Sequence, residues 1–167
     1  DPFTILSGNT EQDSPINYEI FLPGADTFVW MTATDQLYLG GPNAEFAIGG
    51  GGDRITSTNF QAQRIGTTGS AAVDVQATDT ALVHVGKSRR RMFAVEFDFS
   101  KQAFASNAIT FLAPHLFQSS VKDVVFRPAS RNDATSRLFV VQDDGSVRTC
   151  AYSPRENLLA WSRVDYS

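Results

Sequence analysis

The run "MFAVEFDF" at 92–99 alternates without a break. Phe93, Val95, Phe97 and Phe99 share one side, and Glu96 and Asp98 the other. That two-residue period predicts a strand with one buried face. The same period returns in "RLFVVQ" (137–142) and "VRTCAYS" (147–153), and Asp144-Gly145 between them is a favoured hairpin pair. With "VKDVVF" before and "NLLAWSRV" after, the stretch 121–164 reads as an antiparallel meander closing on Trp161. Upstream, "TFVWMTATDQLYLGG" (27–41) gives strand, turn, strand, and "AEFAIGG" (44–50) a third short strand. "AAVDVQATDTALVHVGKSRRRMFAVEFDFS" (71–100) returns to strands. Three sheet units result, 27–48, 71–99 and 122–164, each a meander of three or four strands. Their starts lie about 45–50 residues apart, the period of propeller blades. The predicted fold is all-β: repeated antiparallel meanders resembling β-propeller blades, in a partial or incomplete ring, because a closed propeller needs about four blades.

One segment departs from the two-residue period. In "SNAITFLAPHLF" (106–117) the apolar residues fall at 109, 112, 113, 116 and 117, the spacing of a helical face. Ser106 or Asn107 would cap its start. Pro114 is tolerated only in a first turn, so the prediction is one short or kinked helix near 107–117. Residues 1–26 are turn-rich, 55–70 polar and Gly-punctuated, and "GGGGDR" (49–54) a flexible break between units.

Composition agrees with sheets. Thirteen Phe and four Tyr stand against two Met in 167 residues, an aromatic bias that suits strands. The net charge of −4 argues against a general nucleic-acid binder, which carries a basic excess. The single cysteine, Cys150, excludes an internal disulfide and a cysteine-based zinc cage. No apolar run reaches the length of a membrane-spanning helix. The whole chain, 1–167, reads as one β-rich domain belonging to a longer protein.

Candidate chemistry is sparse. His84 and His115 are the only histidines, and no spacing joins them to carboxylates such as Asp79 or Asp123 in a metal site or triad. "GGGGDR" lacks the Gly-Lys-Ser/Thr of a phosphate loop, and "QDDG" lacks the spaced acids of a calcium loop. The expectation is therefore no enzymatic activity, no cofactor and no metal. "KSRRR" (87–91) places Lys87, Arg89, Arg90 and Arg91 on a turn, read either as a solvated tip or as a contact with an acidic neighbour or a polyanion. Trp30, Trp161, Phe93 and Phe97 are read as structural anchors packed between units, and Asp144 and Gly145 as the fixed point of the last hairpin.

Longer motifs carry a resemblance. "AITFLAPHLF" (108–117), "VKDVVFRP" (121–128) and "RLFVVQDDGSVRTCAYSPRENLLAWSRVD" (137–165) follow one another in the order of a signature found in bacteriophage and prophage structural tail proteins. "TFVWMTATDQLYLGGPNAEFAIGG" and "GTTGSAAVDVQATDTALVHVGKSRRRMFAVEFDF" resemble that family's upstream segments, so the likeness covers nearly all of 27–165. The chain departs from the family at "WSRVD", where a His-x-His pattern is common. The resemblance is to tail tubular or nozzle components of short-tailed phages, multimeric proteins with propeller-like sheet domains. It implies a structural role in the virion tail, assembled in the bacterial cytoplasm, with other tail subunits in a homo-oligomeric ring and phage DNA in passing contact. The alternative is a carbohydrate- or receptor-binding module of a tail adhesin, which requires exposed aromatic residues gathered in one groove.

Overall fold

The computed structural model describes residues 3–5, 18–20, 23, 27–49, 55–56, 59–98, 100–131 and 134–165. The Gly-rich break at 50–54, Phe99 and most of the turn-rich segment 1–26 lie outside the described residues.

The described residues form a short ribbon and three four-stranded antiparallel sheets, each built from strands consecutive in the chain. In the ribbon, β1 (Phe3–Ile5) pairs with β2 (Tyr18–Ile20). The first sheet holds β3 (Trp30–Ala33), β4 (Leu37–Gly40), β5 (Glu45–Gly49) and β6 (Gln61–Gly66). The second holds β7 (Gln76–Ala77), β8 (Leu82–Val85), β9 (Met92–Asp98) and β10 (Ala103–Ala108). The third holds β11 (Val121–Arg127), β12 (Arg137–Gln142), β13 (Val147–Ser153) and β14 (Leu158–Val164). The first and second units therefore extend past the predicted spans, through β6 and β10.

The sheets stack face on face because each has apolar residues it cannot bury alone. Trp30, Tyr38, Ala47 and Ile65 of the first sheet side pack with Leu82 and Val95 of the second. On the opposite face of the second sheet, Val83, Val85, Met92 and Ala94 meet Val121, Val124, Leu138, Val140, Cys150 and Tyr152 of the third. A separate cluster of Leu39, Ala44, Phe46 and Ile48 fills the far side of the first sheet. The stack has a consistent sense: the opening strands β7 and β11 approach one another, and so do the closing strands β6 and β10.

This packing corrects the reading of 92–99. At its start β9 is buried on both faces, with Met92 and Ala94 turned to the third sheet and Val95 to the first. A strand in a middle layer needs two apolar faces. The alternation persists only near its end, where Glu96 and Asp98 reach the rim. Phe97 there is 36% exposed, so it is a groove wall rather than a buried anchor.

The helix predicted near 107–117 shrinks to one 3-10 turn, Pro114–Leu116. The proposed capping residues Ser106 and Asn107 are strand residues paired with Val95 and Ala94. Beyond them the chain runs through three-residue turns closed by Phe111 N–H to Ala108 O and Ala113 N–H to Thr110 O. The apolar spacing served a strap across the end of the stack. Ile109, Ala113 and Phe117 are buried, while Phe111 and Leu112 are 78% and 80% exposed.

The last hairpin forms as a three-residue loop. Gly145 N–H donates to Gln142 O at 2.9 Å, and Gly145 takes φ +80°. The tight turn is centred on Asp143-Asp144, and glycine occupies the left-handed position that follows it. Asp144 Oδ1 fixes the loop by accepting from Ser146 Oγ at 2.6 Å and from Ser146 N–H at 3.0 Å.

Candidate functional surfaces

Antiparallel pairing sends alternate turns to opposite ends of the stack. One end carries the β4–β5, β8–β9 and β12–β13 turns and the 109–117 strap. The other carries the β3–β4, β7–β8 and β13–β14 turns.

The β8–β9 turn bears the four sequence-selected cations and ties the three sheets together. Lys87 Nζ donates to Asn43 Oδ1 of the first sheet's turn at 3.0 Å. Arg89 reaches the third sheet, donating from Nε to Val121 O at 3.1 Å and pairing with Asp143 Oδ1 at 3.3 Å. Two of the four cations thus have partners within the chain. Arg90 and Arg91 are exposed and have no side-chain partner among the described residues. The strap emerges beside this turn, since Met92 N–H donates to Thr110 Oγ1 at 3.2 Å.

At the opposite end a groove of about 650 Å³ opens between the first and second sheets. Tyr38, Phe97, Phe104, Leu82 and Val95 make its apolar wall, and Asp35, Asp79, Glu96 and Arg155 its charged rim. Phe104 sits edge-on to both Phe97 and Tyr38, with centroids 5.1 and 6.3 Å apart. Asp35 is exposed at the rim, and the slight desolvation there pushes its carboxyl up. Hydrogen bonds from Thr34 and Tyr38 outweigh that and hold it below the usual carboxylate range.

The structure brings together three residues that sequence spacing did not connect. Ser70 Oγ donates to Glu45 Oε1 at 2.9 Å and lies 3.0 Å from His84 Nδ1. All three are buried between the first two sheets. Because the Ser70 hydrogen is committed to Glu45, Nδ1–H of His84 donates to Ser70 Oγ, which leaves Nε2 as an acceptor. Among the described residues Nε2 has no hydrogen-bond partner, and neither do Glu45 Oε2 and Trp30 Nε1. Burial lowers the pKa of His84 to about 4. It raises that of Glu45, against hydrogen bonds from Ser70 and Thr68 that favour the charged form. The residue types are those of a hydrolytic triad, but the order is not, since the serine stands between acid and base. A triad needs the acid on the histidine and the histidine on the serine, beside a substrate. Here Trp30 covers the ring at 6.0 Å and Phe93 stacks on it at 5.6 Å. This cluster is a polar joint between sheets. His115 lies apart from it, exposed on the 3-10 turn.

Trp30 is buried against Gly40, where a Cβ would overlap its ring. Trp161 is half-buried, edge-on to Phe117 at 4.8 Å, and donates from Nε1 to Ile109 O at 2.8 Å. It therefore fastens the last strand to the strap. Cys150 is buried, and burial pushes its thiol up to about 12, which makes it a poor nucleophile. Among the described residues no group of three metal-ligating side chains converges.

The outer face of the third sheet has no sheet on it among the described residues. Cross-strand register places Val125, Phe139 and Thr149 side by side, and likewise Val141, Val147 and Val164. Val125 is 53% exposed, and Phe139, Val141, Val147 and Val164 are half-buried. Comparison with known protein families and with curated proteins finds no match for this chain.

Proposed function

We propose that the chain is a structural element of a bacteriophage tail, in the tubular or nozzle region, and that its sheets are blades of an incomplete β-propeller. The observation that carries this reading is the outer face of the third sheet, on which no sheet lies among the described residues. Two successive sheet-on-sheet interfaces run through the molecule in the same sense, and the next face in the series, which bears Val125, Phe139, Val141, Val147 and Val164, has no sheet on it among the described residues. A further four-stranded sheet of the same assembly is the occupant that continues the stack. The motif resemblance over 27–165 supports the tail assignment. The net charge of −4 suits the wall of a conduit, because a tube that passes DNA must not hold it. A non-enzymatic role agrees with the closed Glu45–Ser70–His84 joint and the high thiol pKa of Cys150.

A second reading, a glycan- or receptor-binding module, draws on the groove that gathers Phe97, Phe104 and Tyr38. A glycan-array signal lost on Phe97→Ala would favour it. The tail reading is tested by immunogold electron microscopy of particles released from producing cells, with antibody raised against this chain. Label on tails supports it, and label confined to non-particulate protein refutes it.

A further inference from the structure

The two ends of the stack are complementary in both apolarity and charge. One end presents Phe111 and Leu112, consecutive and 78% and 80% exposed. Arg90 and Arg91 stand nearby, exposed and without side-chain partners among the described residues. The strap and the turn that carry them are joined through Met92 N–H and Thr110 Oγ1. The other end presents the aromatic-walled groove, rimmed by three carboxylates, Asp35, Asp79 and Glu96, against one guanidinium, Arg155.

We propose that the chain associates head to tail with a second copy of itself: the Phe111–Leu112 knob enters the groove, and Arg90 and Arg91 face its carboxylate rim. An exposed pair of large apolar side chains needs a concave apolar partner, and the groove supplies one of adequate volume. A desolvated apolar centre inside a charged rim is the usual anatomy of a protein interface. Guanidinium groups are suited to the rim because they pair with carboxylates and stack on aromatic rings. A neutral glycan would satisfy the aromatic wall but would leave the excess of three carboxylates over one guanidinium unanswered, so the observations favour the cationic partner. Knob and groove are different surfaces at opposite ends, so the contact is heterologous and propagates. It also uses neither face of the third sheet. The inference goes beyond the tail assignment, because self-association is a property of the chain wherever the assembly resides.

The test is sedimentation velocity of the full chain over a range of concentrations and salt. The parent is expected to form dimers and longer species at low salt and to dissociate toward 1 M salt, where charges are screened beyond about 3 Å. Arg90→Glu/Arg91→Glu and Asp79→Lys/Glu96→Lys should each weaken association about a hundredfold, the effect of setting like charges opposite one another. Mixing the two reversed variants should restore it, because each then offers an end that suits the other. Phe111→Ser/Leu112→Ser, at positions too exposed to affect folding, should abolish it. If the lysine variant fails to fold, Asp79→Asn/Glu96→Gln replaces it, and partial weakening is expected. A parent that stays monomeric at low salt overturns the proposal, whether or not the groove binds glycans. So does association that survives the serine pair or the arginine reversal.

Discussion

Replacing Trp161 with alanine should loosen the third sheet from the strap that joins it to the second. Three contributions are lost together. The indole N–H donates at 2.8 Å to Ile109 O, and a protein hydrogen bond contributes about 0.5–1.5 kcal/mol net. The edge-on pair with Phe117, centroids 4.8 Å apart, adds about 0.5–1.5 kcal/mol beyond burial. The apolar body of the ring packs on the main core, and truncating a core tryptophan to alanine costs about 3–5 kcal/mol in all. Because Trp161 is half-buried, the lower end of that range applies, ~3 kcal/mol. For a domain of this size each kcal/mol moves the midpoint by about 2–4 °C, so Tm should fall by about 6–12 °C. Trp161→Phe keeps the ring contact and loses only the hydrogen bond, so it should fall between alanine and the parent. Scanning calorimetry of the three proteins decides the matter. An alanine variant melting within about 2 °C of the parent would show that the strap is held by other contacts.

Gly40→Ala puts a methyl group into the Trp30 ring and should cost about 1–3 kcal/mol through overpacking, read as a lower urea midpoint. Stability should fall as pH drops from 6.5 toward 4. The unfolded chain protonates His84 at its ordinary pKa while the folded chain resists down to about 4, so folding stability is present above that window and is lost as pH falls through it. His84→Gln should flatten this slope in urea titrations across the window. Glu45, whose folded pKa is raised, acts in the opposite sense, so Glu45→Gln should steepen the loss. Val125→Lys, at a site 53% exposed, should leave the unfolding free energy of the isolated chain within about 0.5 kcal/mol of the parent, yet abolish incorporation into tails in a complementation assay.

Sequence patterning found the inner strands and the edges β3, β11 and β14, and missed the edges β6 and β10. β12 alternates because one face meets the second sheet and no sheet covers the other among the described residues, while in β13 Thr149 on that other face is buried as well. β6 reads "QAQRIG" and β10 "AFASNA", polar or small residues without a clean period, because a closing edge strand contributes less apolar surface to the core. β9 was recognised as a strand, but its two buried faces were not, since Met92 and Ala94 break no rule of a one-faced strand. The strap imitated a helix because buried residues recurring every four positions also suit a succession of three-residue turns around Pro114. The Glu45–Ser70–His84 joint was illegible because its members lie in different strands and connections, 25 and 14 residues apart about Ser70. The basic turn was visible as a cluster, but only the fold separates Lys87 and Arg89, bound within the chain, from Arg90 and Arg91, which are not. The groove arises from turns of all three sheets, which no local pattern records.

The central claim is that the outer face of the third sheet is covered by another sheet in an assembled tail. A cryo-electron microscopy reconstruction of tails containing this chain tests it most directly. The account predicts three four-stranded sheets of this chain arranged around the tail axis, with Val125 and Phe139 buried beneath a neighbouring antiparallel sheet. A reconstruction in which those two side chains face solvent, or in which the chain lies outside the tail, would contradict it.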